Sequence, residues 1–135
     1  MDVDIIYGFE NVKIEATART PYVNLDKDNG LIELKGKSIP ENAVQFYWHF
    51  NRWVSEYINQ PQKQTTVNLA FTYLNSASLV VVSGLLRQLN GLIGIKSNII
   101  INWLYESGDD EIKELGDFLC QDMHFKINLQ EVERI

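Results

Sequence analysis

The sequence predicts a single α/β domain, a mixed β-sheet with helices packed on it, and three observations lead there. Stretches of period-two hydrophobicity alternate with stretches of helical periodicity after one N-terminal hairpin. A length of 135 residues suits one core and is short for two. A composition of 45% hydrophobic and 22% charged residues belongs to a globular chain and excludes a disordered one.

Residues 1–18 read as an N-terminal extension or an edge strand, because Val12 to Ala16 alternates; residues 19–135 read as the domain proper. Tyr22 to Leu25 and Leu31 to Leu34 form the arms of a hairpin. The intervening Asp26-Lys27-Asp28-Asn29-Gly30 carries the Asn-Gly pair that tolerates positive φ in a tight turn. Ser38-Ile39-Pro40-Glu41 reads as a helix start, with Ser38 as cap, proline in the first turn and Glu41 three residues on. The helix then runs to about Ile58, with Ala43, Phe46, Tyr47, Phe50, Trp53, Val54, Tyr57 and Ile58 at helical spacing.

Thr65 to Tyr73 is a strand in which Val67, Leu69, Phe71 and Tyr73 share one face. Ala77 to about Leu92 is a helix apolar around much of its circumference, through Leu79, Val80, Val82, Leu85, Leu86 and Leu89, and is expected to be well buried. Asn98 to Tyr105 is a second strand, and the run Ile99-Ile100-Ile101 predicts cover on both faces. A polar loop then opens a third helix carrying Ile112, Leu115, Phe118 and Leu119, and Phe125 to Leu129 reads as a last edge strand.

Charge narrows the function. A net charge of -6 and a pI of about 4.8, with no cluster of Lys or Arg, repel nucleic acid and anionic lipid. The longest apolar run, Leu79 to Val82, is far shorter than a bilayer span, so no membrane insertion is expected. The N-terminus begins with acids where a signal peptide carries Lys or Arg, and Cys120 alone permits no intrachain disulfide; the expected compartment is the cytoplasm.

Catalytic patterns are missing. His49 and His124 adjoin no serine, cysteine or acid in a recognisable order, and there is no nucleophile elbow, phosphate-cradling glycine loop or paired-histidine helix. One cysteine and two distant histidines do not make a zinc set, so no metal, no cofactor and no enzymatic activity are expected. Cys120 reads as a small buried apolar residue. The acids from Glu106 to Glu111 fit the N-terminus of the following helix, where they favour the macrodipole, or a partner-facing patch. Trp53 and Trp103 read as core. Trp48 falls off the apolar stripe and is a candidate partner contact.

The informative segment is Leu74-Asn75-Ser76-Ala77-Ser78, which joins a central strand to a helix. Asn75 or Ser76 supplies a cap for first-turn N–H groups in one reading. In the other, a serine at the carboxyl end of a strand and the start of a helix is a phosphoacceptor site. A phosphate there adds about -1.5 to -2 charge without unfolding the domain.

Three ordered segments then resemble one family. Gly36-Lys37-Ser38-Ile39-Pro40-Glu41-Asn42 matches a G-x-S-x-P-E-N helix entry, and Tyr73-Leu74-Asn75-Ser76-Ala77-Ser78 matches a Y-[LF]-N-[TS]-S-S junction. Asn102-Trp103-Leu104-Tyr105-Glu106, followed by Asp110 and Glu114-Leu115-Gly116-Asp117, matches a W-x-Y-[DE] strand end with its acidic helix. The set spans Tyr22 to Phe125 and resembles the SiaC family of bacterial regulatory phosphoproteins, whose fold is similar to STAS domains and anti-sigma-factor antagonists. The resemblance implies a STAS-like fold and a non-enzymatic switch that binds a signalling effector such as a diguanylate cyclase in cyclic di-GMP and biofilm signalling. It further implies phosphorylation by a Ser/Thr protein kinase, reversal by a PP2C-type phosphatase, and Ser76 as the phosphoacceptor. Leu74, Asn75, Ser78, Glu41, Asn42, Tyr105 and Glu106 lie on the matched segments and become the candidate partner-binding residues. Serine stands at residue 76 where the family usually has threonine, Ala77 replaces a usual serine, and residues 1–18 have no counterpart in these motifs. A constitutive interaction module and an anti-sigma-factor-antagonist type of partner switch are the alternatives, followed by a small-ligand binder.

Overall fold

The computed structural model describes residues 9–92 and 96–135. Among them six strands form one sheet in chain order: β1 (Val12–Ile14), β2 (Tyr22–Asp26), β3 (Leu31–Ser38), β4 (Gln64–Leu74), β5 (Asn98–Glu106) and β6 (Lys126–Val132). β1 to β3 are antiparallel neighbours, while β3 to β6 run parallel. The parallel crossovers carry α1 (Ala43–Phe46) and α2 (Trp48–Tyr57), then α3 (Ser76–Asn90), then α4 (Asp110–Leu119). Right-handed crossovers between strands laid down in one direction put all their helices on the same face. Burial agrees: Val23, Leu25, Ile32, Leu34, Val67, Leu69, Ile99, Ile101 and Trp103 are buried, and most alternate positions of the same strands are half-buried. The mixed α/β sheet expected from periodicity is therefore present, with helices on one face only.

That single-sided cover corrects the reading of Ile99-Ile100-Ile101. Ile100 is half-buried on the helix-free face, between its register partners Thr66 and Lys126. Val80 is also corrected, since it is 69% exposed and α3 buries only the Val82, Leu85, Leu86 and Leu89 side.

The entry to the first helices differs as well. Ser38 is the buried last residue of β3, and Asn42 caps α1 by accepting a 3.1 Å bond from the Gln45 amide. The helix expected to run unbroken to Ile58 is interrupted at Tyr47, whose φ of -90° and ψ of 5° separate α1 from α2. Tyr47 is fully buried, and its phenol lies 2.7 Å from the Ser38 hydroxyl.

β4 carries a bulge that periodicity did not reveal. Gly36 pairs with Phe71 but Lys37 pairs with Tyr73, so Thr72 is an extra residue. Gly36 has a φ of +114°, a conformation that a side chain would strain. Beyond the bulge the faces exchange. Ser38 points to the helices and pairs with Leu74, while Tyr73 follows Lys37 onto the open face and is 55% exposed.

The open face is crossed by a row of amides. Asn128 donates to Asn102 at 3.0 Å, Asn102 to Asn68 at 2.8 Å, and Asn68 to the Glu33 carboxylate at 2.8 Å. Asn24 donates to the other Glu33 oxygen at 2.9 Å. All four residue pairs are register partners, so the row spans β2 to β6 and every amide is oriented toward one charge. Burial pushes the Glu33 carboxyl up, but the Asn24 and Asn68 amides and Lys35 outweigh it and leave the carboxyl below its ordinary value of 4.5. The sign follows: this carboxylate stabilises the fold above 4.5, and its contribution is lost as pH falls through the lowered folded value.

Asn68→Ala, which breaks the row at its centre, is expected to cost about 2 kcal/mol in urea denaturation. Glu33→Gln should cost less than about 1 kcal/mol, because Asn24 can turn its amide to receive the new donor. It should also flatten the acid limb of the stability profile, and an unchanged acid limb would refute the role of this carboxylate.

Candidate functional site

The junction after β4 is built from the backbone outward. The Asn75 amide donates to the Ser38 carbonyl at 3.0 Å, which extends the β3–β4 ladder past the last paired residues. Asn75 then turns to a φ of -81° and ψ of 171°, and its side-chain oxygen accepts the Ser78 amide at 2.9 Å. Asn75 is thus the cap of α3, and Ser76 is the first helical residue rather than the cap. The Ser76 hydroxyl is left exposed, at a terminus whose first-turn N–H groups favour an anion and which carries no acid.

Under this exposed residue lies a closed hydroxyl cluster. Ser78 donates to the Ser38 carbonyl at 3.2 Å, and Ser38 donates to the Ser78 hydroxyl at 2.8 Å. With the Ser38 proton committed, the Tyr47 phenol is the donor to Ser38. All three residues are fully buried. Burial pushes the Tyr47 phenol up, against the lowering effect of the Ser38 and Ser78 hydroxyls, so it stays a neutral donor. The cluster ties the end of β3, the break between α1 and α2, and the first turn of α3 into one unit.

Exposed apolar side chains flank Ser76 in the chain: Tyr73, at 55%, on the open sheet face, and Ala77 and Val80, the latter at 69%, on α3. Val44 of α1 is 78% exposed. None of these was a candidate from sequence. Tyr73 has the spacing of Val67, Leu69 and Phe71, and Val80 lies in a helix rich in apolar residues, so neither reads as exposed from the sequence.

The other candidates are placed as follows. Leu74 is half-buried and packs on the core, and Ser78 is buried in the hydroxyl cluster. Glu41 and Asn42 are exposed and line a shallow groove with Arg19 and Gln45. Tyr105 is buried, 8% exposed, with the Lys113 ammonium 5.7 Å from its ring centre. Glu106 accepts the Ile135 amide at 2.9 Å. The β4–β5 ladder ends at Ala70 and Leu104, so Tyr105 and Glu106 pair with β6 rather than with the junction. Trp48 is 44% exposed, with the Arg52 guanidinium 5.1 Å from its ring centre.

Among the described residues no group of three or more His, Cys, Asp or Glu side chains could hold a metal ion. Burial, with a smaller effect from Asp117, pushes the Cys120 thiol up to about 11, far from a reactive thiolate. No helix among them is long and apolar enough to cross a membrane.

Comparison with known proteins matches this arrangement to one family. Residues 14–132 fit the family model described as SiaC family regulatory phosphoprotein, a match that begins inside β1 and so earlier than the sequence motifs suggested. An uncharacterised protein of Pseudomonas aeruginosa (strain UCBPP-PA14) is 23% identical over 120 residues, covering 89% of this chain and 95% of that protein. SiaC of Pseudomonas aeruginosa superposes with a TM-score of 0.81 at 23% identity, covering 92% of this chain and all of that one. A crystal structure of the diguanylate cyclase SiaD in complex with its activator SiaC, from the same organism, contains a chain matching with a TM-score of 0.82 at 24% identity. That match covers 90% of this chain and 99% of that one. By the extent of the family match and the shared fold, this chain belongs to the SiaC family of regulatory phosphoproteins.

Proposed function

We propose that this chain is a non-enzymatic regulator that binds and activates a diguanylate cyclase when unmodified and releases it when Ser76 is phosphorylated. A Ser/Thr kinase adds the phosphate and a PP2C-type phosphatase removes it. The observation that carries the reading is the exposed Ser76 hydroxyl at the first position of α3, free of the capping task that Asn75 performs, beside exposed Ala77 and one helical turn before exposed Val80. Exposed apolar side chains suit a protein partner, and a dianion beside them would have to be desolvated on binding. The crystallised complex of the related SiaC with its cyclase supports the choice of effector.

The test uses a Ser/Thr kinase and a diguanylate cyclase from the same organism. Kinase and ATP should add a single phosphate by intact mass, absent from Ser76→Ala, and the unmodified chain should raise cyclic di-GMP output. A phosphate retained in Ser76→Ala would move the switch to another residue. A cyclase indifferent to the unmodified chain would remove the proposed effector.

A further inference from the structure

Among the described residues, three surfaces of the fold are unoccupied by the helices and loops that build the core. The open sheet face is not an inviting one, because its central row of amides is already satisfied across β2 to β6 and converges on Glu33. The β1 edge offers only three residues. The third surface is the outer edge of β6, seven residues long, with no strand beyond it among the described residues. A free edge of that length presents a row of unpaired backbone donors and acceptors to an added strand.

The helix-covered side of this edge is chemically specific. Register puts Leu129 beside Trp103 and Glu131 beside Tyr105, both on the inner face. α4 stops short of covering this border, and Leu129 remains 36% exposed. Leu129 lies at the floor of a 290 Å³ groove whose wall is one face of α4: Asp110, Lys113, Glu114 and Asp117. Three acids and one lysine line the groove, and the lysine is drawn over the Tyr105 ring. A second copy pairing edge to edge would bring these acids toward their equivalents, in a chain of net charge -6. A basic segment would meet the opposite field.

We propose that the β6 edge and the acidic face of α4 together form a second docking site, distinct from the Ser76 junction, for an extended basic segment of a partner protein. The segment adds a seventh strand beside β6. Every second residue faces the helix side, where a Lys or Arg stem lies across Leu129 and its head reaches Asp110, Glu114 and Asp117. Main-chain bonds supply the pairing and the alternate basic residues supply the selectivity. The site is independent of the phosphorylation reading, since no residue of it belongs to the junction.

The probe is a synthetic decapeptide of alternating Lys and Val, titrated into the isotope-labelled full chain and followed by amide NMR. Shifts and slowed hydrogen exchange should concentrate on residues 126–132 and on α4. A Glu/Val decapeptide should give none, and a Lys/Val peptide N-methylated at alternate residues should lose binding while keeping its charge. Glu114→Lys with Asp117→Lys should weaken binding by about tenfold or more, and Ser76→Asp should leave it unchanged, which separates failure here from failure at the junction. Equal binding by the N-methylated peptide would reduce the effect to charge attraction and overturn the proposal. So would shifts on the open face, or a dimer through β6 in sedimentation equilibrium.

Discussion

Ser76→Asp is expected to lose the effector by about a hundredfold in Kd, while Ser76→Ala binds as the natural chain does. The size follows from desolvation: a carboxylate carried uncompensated into an apolar contact costs about 3 kcal/mol, and that is about a hundredfold. The accompanying stability change makes the result diagnostic. α3 has no acid in its first turn and Ser76 is exposed at its start, so a carboxylate there meets the positive end of the helix dipole. Ser76→Asp should therefore unfold at a slightly higher urea concentration, gaining about 0.3–1 kcal/mol. Loss of binding together with gain of stability excludes misfolding as the cause. Loss of both would indicate damage to the Asn75 cap or to the Ser38–Ser78–Tyr47 cluster beneath it.

Gly116→Ala is expected to destabilise the domain by about 1–3 kcal/mol, opposite in sign to the usual effect of alanine in a helix. α4 rides directly on Trp103, whose indole N–H donates to the Ile112 carbonyl at 2.8 Å. A Cβ at residue 116 would stand 2.5 Å from the Trp103 ring. The ring has no room to retreat, being fully buried between register neighbours Leu69 and Leu129 with Phe71 6.0 Å away. Gly84 in α3 is the internal control, since a Cβ there meets nothing outside its own helix within 4 Å. Gly84→Ala should stabilise by up to about 1 kcal/mol. Urea midpoints that move in the same direction for both variants would contradict this account of α4 packing.

Much of the architecture was legible in the chain because burial has a period. The hairpin arms in Tyr22 to Leu34, the alternation in Thr65 to Phe71 and the apolar run in Asn98 to Tyr105 placed the four central strands, and the apolar spacing from Ala43 to Ile58 placed the helical crossover. Tyr73 shows that a local pattern fixes a face only while its period is unbroken. The extra residue at Thr72 moved Tyr73 to the open face, although its spacing from Phe71 is that of a core position. Val80 looked buried because α3 is rich in apolar residues, and which side of a helix meets the sheet is settled by the crossover rather than by composition.

Ser38 shows a different difficulty. Serine before proline and glutamate fits a cap, but strand β3 reaches further than its apolar alternation, and Ser38 is held in the core by Ser78, forty residues away. No spacing rule announces such a bond. The G-x-S-x-P-E-N segment gains a structural meaning from it. Gly36 permits the bulge, Ser38 reaches into the hydroxyl cluster, and Asn42 caps α1. The junction motif was easier to read, since Asn75 caps α3 by the side-chain bond expected of an asparagine before a helix.

The most direct measurement of the proposed switch is calorimetric titration of a diguanylate cyclase from the same organism with three forms of the chain: unmodified, stoichiometrically phosphorylated by a Ser/Thr kinase, and phosphorylated then treated with a PP2C-type phosphatase. Binding by the first form, about a hundredfold loss in the second and full recovery in the third is the predicted result. Equal affinity of the phosphorylated and unmodified forms, with the phosphate mapped to Ser76, would contradict it.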